Sequence, residues 1–290
     1  MFIFVSYWTE TYAESAYPHP QIKSDFGITP FDLRSGPITF SLCRLLGFPN
    51  KTATRRELMP QSTKPREPIK NHLLAALSRQ EYQRLQPDLE PVALVFGTIL
   101  YEPGDVVQDV YFPNQGIISL LSTVEERSTL EVGMVGSEGM AGITVFLGAR
   151  TSLNRALVQG AGTAMRMKAA VLRQQIKDKR PLPELLRHYT HSLLTQISQG
   201  AVCNRFHRVE KRLARWLLMS HDRLRSDEFR LTQEFLADML GVRREGVVKA
   251  ARVLQQRELI SYVRGQIKIL NRAGLEAASC QCYEVLRLVA

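Results

Sequence analysis

The stretch LADMLGVRREGVVKAARVL, Leu236 to Leu254, limits the fold of this chain more than any other. It reads as two short helices broken at Gly241. Thr232 is placed to cap the first, its hydroxyl accepting from an otherwise orphan backbone N–H. Leu236 and Leu240 share a face, and Ala237 and Gly241 are small enough for two helices to cross closely. Gly241 also suits a left-handed turn that most residues avoid. Val242 then turns inward, and the second helix buries Val247, Ala250, Ala251 and Leu254. Its other face collects Arg244, Glu245, Val248, Lys249 and Arg252. Next comes ELISYVRGQIKILN, two β-prone runs around Arg264-Gly265, which predicts a small hairpin. A buried face opposed to a mostly cationic one, with a hairpin behind it, predicts a winged helix-turn-helix.

Charge supports that placement. The 290 residues carry a net +10, unevenly spread. From Arg205 to Arg272 there are 16 Lys+Arg against 8 Asp+Glu, whereas from Glu90 to Met165 there are 3 basic and 8 acidic residues. A basic C-terminal third beside a groove-shaped motif is an electrostatic footprint for phosphate. No apolar run reaches the roughly 18 residues needed to cross a bilayer. The opening MFIFVSYWTE lacks a basic leader and a small-residue cleavage site, so a signal peptide is not expected. Cysteines 43, 203, 280 and 282 are too sparse for a disulfide framework, and Cys280 and Cys282 are read as pointing to different sides of one helix. Reduced thiols in the cytoplasm are the expectation.

Before the motif the texture changes twice. Residues 1–66 gather turn formers (YPHPQ, ITPFDLRSGP, MPQSTKPREP) and show no period. Either they form a flexible extension or translation begins near Met59; the second is preferred. NHLLAALSRQEYQRL then reads as one helix. From about Leu94 to Met167 short β-prone runs alternate with glycines, including ITVFLG, which predicts a sandwich or jelly-roll-like β-roll. AAVLRQQIKD reads as a short helix, and a long one spans about Leu182 to Cys203. On it Leu186, Tyr189, Leu193, Ile197 and Ala201 form one apolar stripe. That stripe packs either on its own domain or on a second copy, and the second is the sharper expectation. Another helix covers about Val209 to Leu224.

LTQEFLADMLGVRREGVVKAARVLQQRELISYVRGQIKILN resembles the winged-helix domain of the Crp/Fnr family of bacterial transcription regulators. FGTILYEPGD, VYFPNQGIISLL and EGMAGITVFLG resemble that family's cyclic-nucleotide-binding-like β-roll. The resemblance covers roughly residues 70 to 275. It implies an α+β architecture: a β-roll sensor domain over 67–178, a dimerisation helix over 179–206 and a DNA-binding domain over 207–290. It also implies a homodimer on a palindromic double-stranded operator, with RNA polymerase as a further partner and no enzymatic activity.

By position, the family's base-reading residues fall on Arg244, Glu245 and Lys249. Arg can bridge guanine O6 and N7, and Glu can accept from cytosine N4. Thr232, Gln233 and Arg243 then lie near phosphates, which they position without specifying sequence. Two departures are Gly246 inside the recognition helix and Arg243 where a small hydroxyl residue is usual.

The family's cyclic-nucleotide binders use a Gly-Glu pair for the ribose and an Arg-Ser pair for the phosphate. Here Gly142 is followed by Ile143, and the second pair reads Asn154-Arg155. Gly142 and Arg155 are the remaining effector candidates, with Arg155 shifted by one and expected on the opposite face. A cyclic-nucleotide-responsive regulator is therefore the alternative reading, and a β-roll that binds proteins and not DNA a more distant one. No His or Cys lies between His72 and His188, which argues against a cupin-type metalloenzyme. His188 and His191 share a face on the long helix but are read as surface residues. No metal and no cofactor are expected.

Overall fold

The computed structural model describes residues 69–124, 128–177 and 181–289; the reading of residues 1–66 lies outside them. The first helical stretch is split in two, α1 (His72–Ala75) and α2 (Arg79–Leu85). Ser78 is the reason. Its hydroxyl accepts from Glu81 N while Glu81 accepts from Ser78 N, a reciprocal cap that starts a new helix where continuous periodicity had predicted one.

Strands β1 (Glu90–Leu94), β2 (Ile99–Tyr101), β3 (Asp109–Val124), β4 (Ser128–Val135) and β5 (Arg155–Lys168) form one antiparallel sheet. The order is β1-β5-β3-β4, with β2 also on β5. β3 runs along nearly all of β5 through register shifts at Pro113, Gln115 and Ile117, which bend the long pair into a roll. ITVFLG, expected as a strand, is instead a 3-10 turn at Ile143–Val145. Gly142 enters it at φ 91, a left-handed conformation that ends extended structure.

Both faces of the sheet are covered, which explains why apolar residues occupy both faces of IISLL, where Ser119 alone is polar and bonds to Gln159. Ile118, Leu120 and Val135 join the roll's interior with Val110, Phe112, Met140 and Met167. Ile117, Leu121 and Met134 point the other way, into a second core built by the C-terminal helices. The first core is closed by α3 (Ala169–Gln175) and by α4 (Pro181–Phe206).

The apolar stripe of α4 is thereby accounted for. Leu186, Tyr189 and Leu193 are buried against the chain's own β-roll, and Tyr189 donates to Met140 O at 3.1 Å. Gln196 bonds both backbone groups of Met134. The expectation of a seam along this stripe is corrected for Leu186, Tyr189 and Leu193, which the sheet covers; Ile197 is half-buried and Ala201 exposed.

After two residues the chain continues as α5 (Val209–Leu224). Then come β6 (Glu228–Arg230), α6 (Gln233–Leu240), α7 (Arg244–Gln256), β7 (Ile260–Val263), β8 (Gln266–Ile269), α8 (Arg272–Ala278) and α9 (Cys282–Val289). Trp216 and Leu217 of α5 anchor this second core. Polar groups tie it to the sheet: Trp216 Nε1 donates to Glu131 at 2.6 Å, and Arg223 pairs with Glu138 at 2.8 Å. Cys280 lies in the link before α9 and Cys282 is that helix's first residue. They are not on one helix, and both are buried near Cys203, contrary to the opposed orientations expected. Among the described residues no helix is long and apolar enough to cross a membrane.

Candidate DNA-binding surface

The helix pair at the heart of this surface is held by the residues that announced it. Thr232 Oγ1 accepts from Phe235 N at 3.1 Å and starts α6. Gly241 ends it at φ 58, and Val242 N returns to Ala237 O at 3.0 Å. Leu236, Ala237, Met239 and Leu240 of α6 are buried, as are Val247, Ala250, Ala251 and Leu254 of α7. Arg212, from α5, donates to Leu240 O and fastens the end of α6.

The opposite face of α7 presents Arg244, Glu245, Lys249 and Arg252, all exposed. Arg243 is the N-cap residue of α7; it is exposed and makes no side-chain cap. Arg244 Nε donates to Gln233 Oε1 at 3.2 Å, so Gln233 orients a cation on the neighbouring helix. Thr232 is exposed at the start of α6. Every residue assigned to DNA from sequence thus lies on α6 or α7, or caps one of them. Gly246 weakens α7 by local propensity, about 1 kcal/mol relative to Ala, though a Cβ there would meet only Val242 at ordinary contact distance.

The wing follows as expected. β7 and β8 pair around a two-residue turn in which Arg264 and Gly265 both adopt positive φ, 50 and 80, as this tight hairpin class requires. Leu231 N donates to Gly265 O at 2.7 Å and Tyr262 OH donates to Leu231 O at 2.8 Å, pinning the wing tip beside the start of α6. That brings Arg264 and Arg230 to the edge of a 690 Å³ cleft shared with Thr232. Sequence reasoning missed these two cations. The Arg-Gly turn signalled a hairpin, but only the third strand, β6 on β8, brings Arg230 alongside it.

Of the effector candidates, Gly142 is buried, its backbone hydrogen-bonded to the Tyr101 hydroxyl. Burial pushes that phenol up to about 12. A Cβ at Gly142 would lie 2.9 Å from Val110. Arg155 pairs with Glu102 at 2.7 Å and is half-exposed, while its neighbour Ala156 enters the roll's core. His188 meets Glu184 at 3.3 Å on the exposed side of α4, and His191 is likewise exposed. The structure does gather one group of metal-ligating side chains that the sequence reading passed over: Cys203, His207, Cys280 and Cys282.

A β-roll followed by a long helix and a winged helix-turn-helix is the architecture of solved structures of Crp/Fnr-family proteins. Residues 211–278 match the model of the Crp-like helix-turn-helix domain. Solved structures agree on the fold. A Crp/Fnr-family protein from Eubacterium rectale is 17% identical with a TM-score of 0.59, over 71% of this chain and 97% of that one. The c-di-GMP-responsive regulator CLP of Xanthomonas campestris is 16% identical with a TM-score of 0.55, over 66% and 99%. FixK2 of Bradyrhizobium japonicum is 15% identical with a TM-score of 0.55, over 66% and 98%. Comparison with curated proteins finds no match.

Proposed function

We propose that the chain is a sequence-specific transcription regulator that acts as a homodimer, reading DNA with α7 and responding to something other than a cyclic nucleotide. The observation that carries the DNA-reading part is the partition of α7: four apolar residues buried, four charged residues exposed on the opposite face. Arg244, Glu245 and Lys249 are the base-reading residues. Thr232, Gln233, Arg243 and Arg252 position the backbone, joined by Arg264 and Arg230 at the wing.

Arg244→Ala should cost about 1–3 kcal/mol of binding and relax preference at one base pair per half-site, whereas Arg243→Ala should weaken all sequences alike and reduce the salt slope by about one. Competitive gel shifts on sites selected in vitro read both effects. Parent-like binding by both variants at moderate salt removes α7 from the groove.

The dimer seam is moved from the buried stripe to the exposed side of α4. There Leu194 is 58% exposed, Val202 47% and, at the helix end, Phe206 72%. An exposed apolar strip along one helix is a surface that another chain can cover. A two-fold pair on this side fits a palindromic operator with half-sites about one helical turn apart. Sedimentation should show a dimer at micromolar concentration and a monomer for Leu194→Glu. A monomeric parent, with and without DNA, ends this reading.

Cyclic AMP lacks its anchors here. Ile143 offers no acceptor to a ribose hydroxyl, and Arg155 is engaged by Glu102. A phosphate and a hydroxyl buried without partners would each be costly. Calorimetry should find no micromolar affinity for cyclic AMP or cyclic GMP; such affinity, abolished by Arg155→Ala, would restore the cyclic-nucleotide reading.

A further inference from the structure

Two distant parts of the chain deliver four metal-ligating side chains to one point. Cys203 lies in the last turn of α4, and His207 follows one turn later. Cys280 and Cys282 flank Gln281 where α8 gives way to α9. One ligand atom from each of the four lies within 4.8 Å of all the others. Cys203 Sγ and Cys280 Sγ are 3.5 Å apart, and Cys282 Sγ and His207 Nδ1 are 3.4 Å apart. The three cysteines are buried and the histidine is partly so.

The two contacts of 3.5 and 3.4 Å lie near the spacing of ligands on one metal ion. Zinc–sulfur bonds of about 2.3 Å and zinc–nitrogen bonds of about 2.0–2.1 Å at tetrahedral angles put ligand sulfurs about 3.8 Å apart, and sulfur and nitrogen about 3.6 Å apart. A disulfide needs about 2.05 Å and would leave Cys282 and His207 behind. An iron–sulfur cluster spreads its thiolates over several irons and needs a wider ring.

The surroundings supply a hydrogen-bond donor and two cations. Gln199 Nε2 donates to Cys282 Sγ at 3.0 Å, the kind of outer hydrogen bond that orients a metal ligand. Arg212 and Arg215 are buried, and the Nε of each is enclosed without a partner. Both act electrostatically on Cys203. Zinc with three thiolates and a neutral imidazole carries one net negative charge, which offsets this buried cationic pair.

We propose that Cys203, His207, Cys280 and Cys282 form a closed Cys3His structural zinc site that fastens the end of α4 to the α8–α9 link. Binding displaces the three thiol protons to solvent and leaves no open position for catalysis. The site spans the junction between the long helix and the DNA-binding domain, and it stands independently of the DNA-reading proposal.

The test uses the full-length chain, reduced, stripped by chelator and titrated anaerobically with Co²⁺. One equivalent should produce the intense visible bands of a tetrahedral site and a thiolate charge-transfer band, and one equivalent of Zn²⁺ should remove both. His207→Ala alters a partly exposed residue and should leave the circular dichroism unchanged while altering the visible bands and weakening binding. Gln199→Ala should retain the bands and lose about 10–100-fold in affinity. Absence of tetrahedral bands in the fully reduced parent overturns the proposal. So do bands that persist unchanged in Cys282→Ser and His207→Ala, since the metal would then sit elsewhere. None of these readouts depends on DNA binding.

Discussion

Replacing Arg223 with alanine should cost the folded chain about 3–5 kcal/mol, because it strands a buried carboxylate. Glu138 follows β4 and Arg223 belongs to α5, so the pair joins the roll to the helix-turn-helix domain. Their side chains are only 14% and 6% exposed. The Glu138 carboxylate accepts from Arg223 at 2.8 Å and from Gly136 N at 3.0 Å. Without the guanidinium a single amide remains to hold it. Urea unfolding measures the loss, and Glu138→Gln in the Arg223→Ala background should recover part of it. A loss below about 1 kcal/mol would mean that the pair behaves as a solvated surface bridge.

Stability should fall as pH rises from about 4.5 to about 7, and Glu131→Gln should flatten that slope. Burial pushes the Glu131 carboxyl up to about 7, against the hydrogen bond from Trp216 and the charges of Arg215 and Arg223. One oxygen accepts from Trp216, while the other is enclosed and unpartnered. Within this window the folded chain keeps a proton that the unfolded chain releases. Stability therefore declines by about 3 kcal/mol in all and levels off above pH 7. The glutamine variant carries no such charge and should exceed the parent by a similar amount at pH 8. Denaturant midpoints across pH 4.5–8 check the sign. A slope that survives in the variant belongs to another group.

Local chemistry was legible in the sequence and distant pairing was not. Thr232, Gly241 and the Arg264-Gly265 turn each act within a few residues, so the helix pair and wing could be located from spacing alone. The α4 stripe was recognised as buried, yet nothing in a period of 3.6 says which surface does the burying. The Ser78 cap was hidden inside a continuous helical pattern. The Cys3His group was missed because its halves lie more than seventy residues apart, and because Cys280 and Cys282 were placed on one helix instead of at a break. The carboxylate beneath Trp216 had no signal at all, since it depends on a contact between β4 and α5.

His207 and Arg208 are all that separate α4 from α5. Two residues contribute four soft torsions, so the link permits changes of angle but little sliding. α5 has 16 residues, a rigid arm about 24 Å long at 1.5 Å per residue. A turn of about 10° at the link swings its far end by about 4 Å, comparable to the roughly 3.4 Å step between stacked bases. On the proposed dimeric reading, whatever fixes the torsions of those two residues therefore decides whether paired helices meet their half-sites in register or one base pair out.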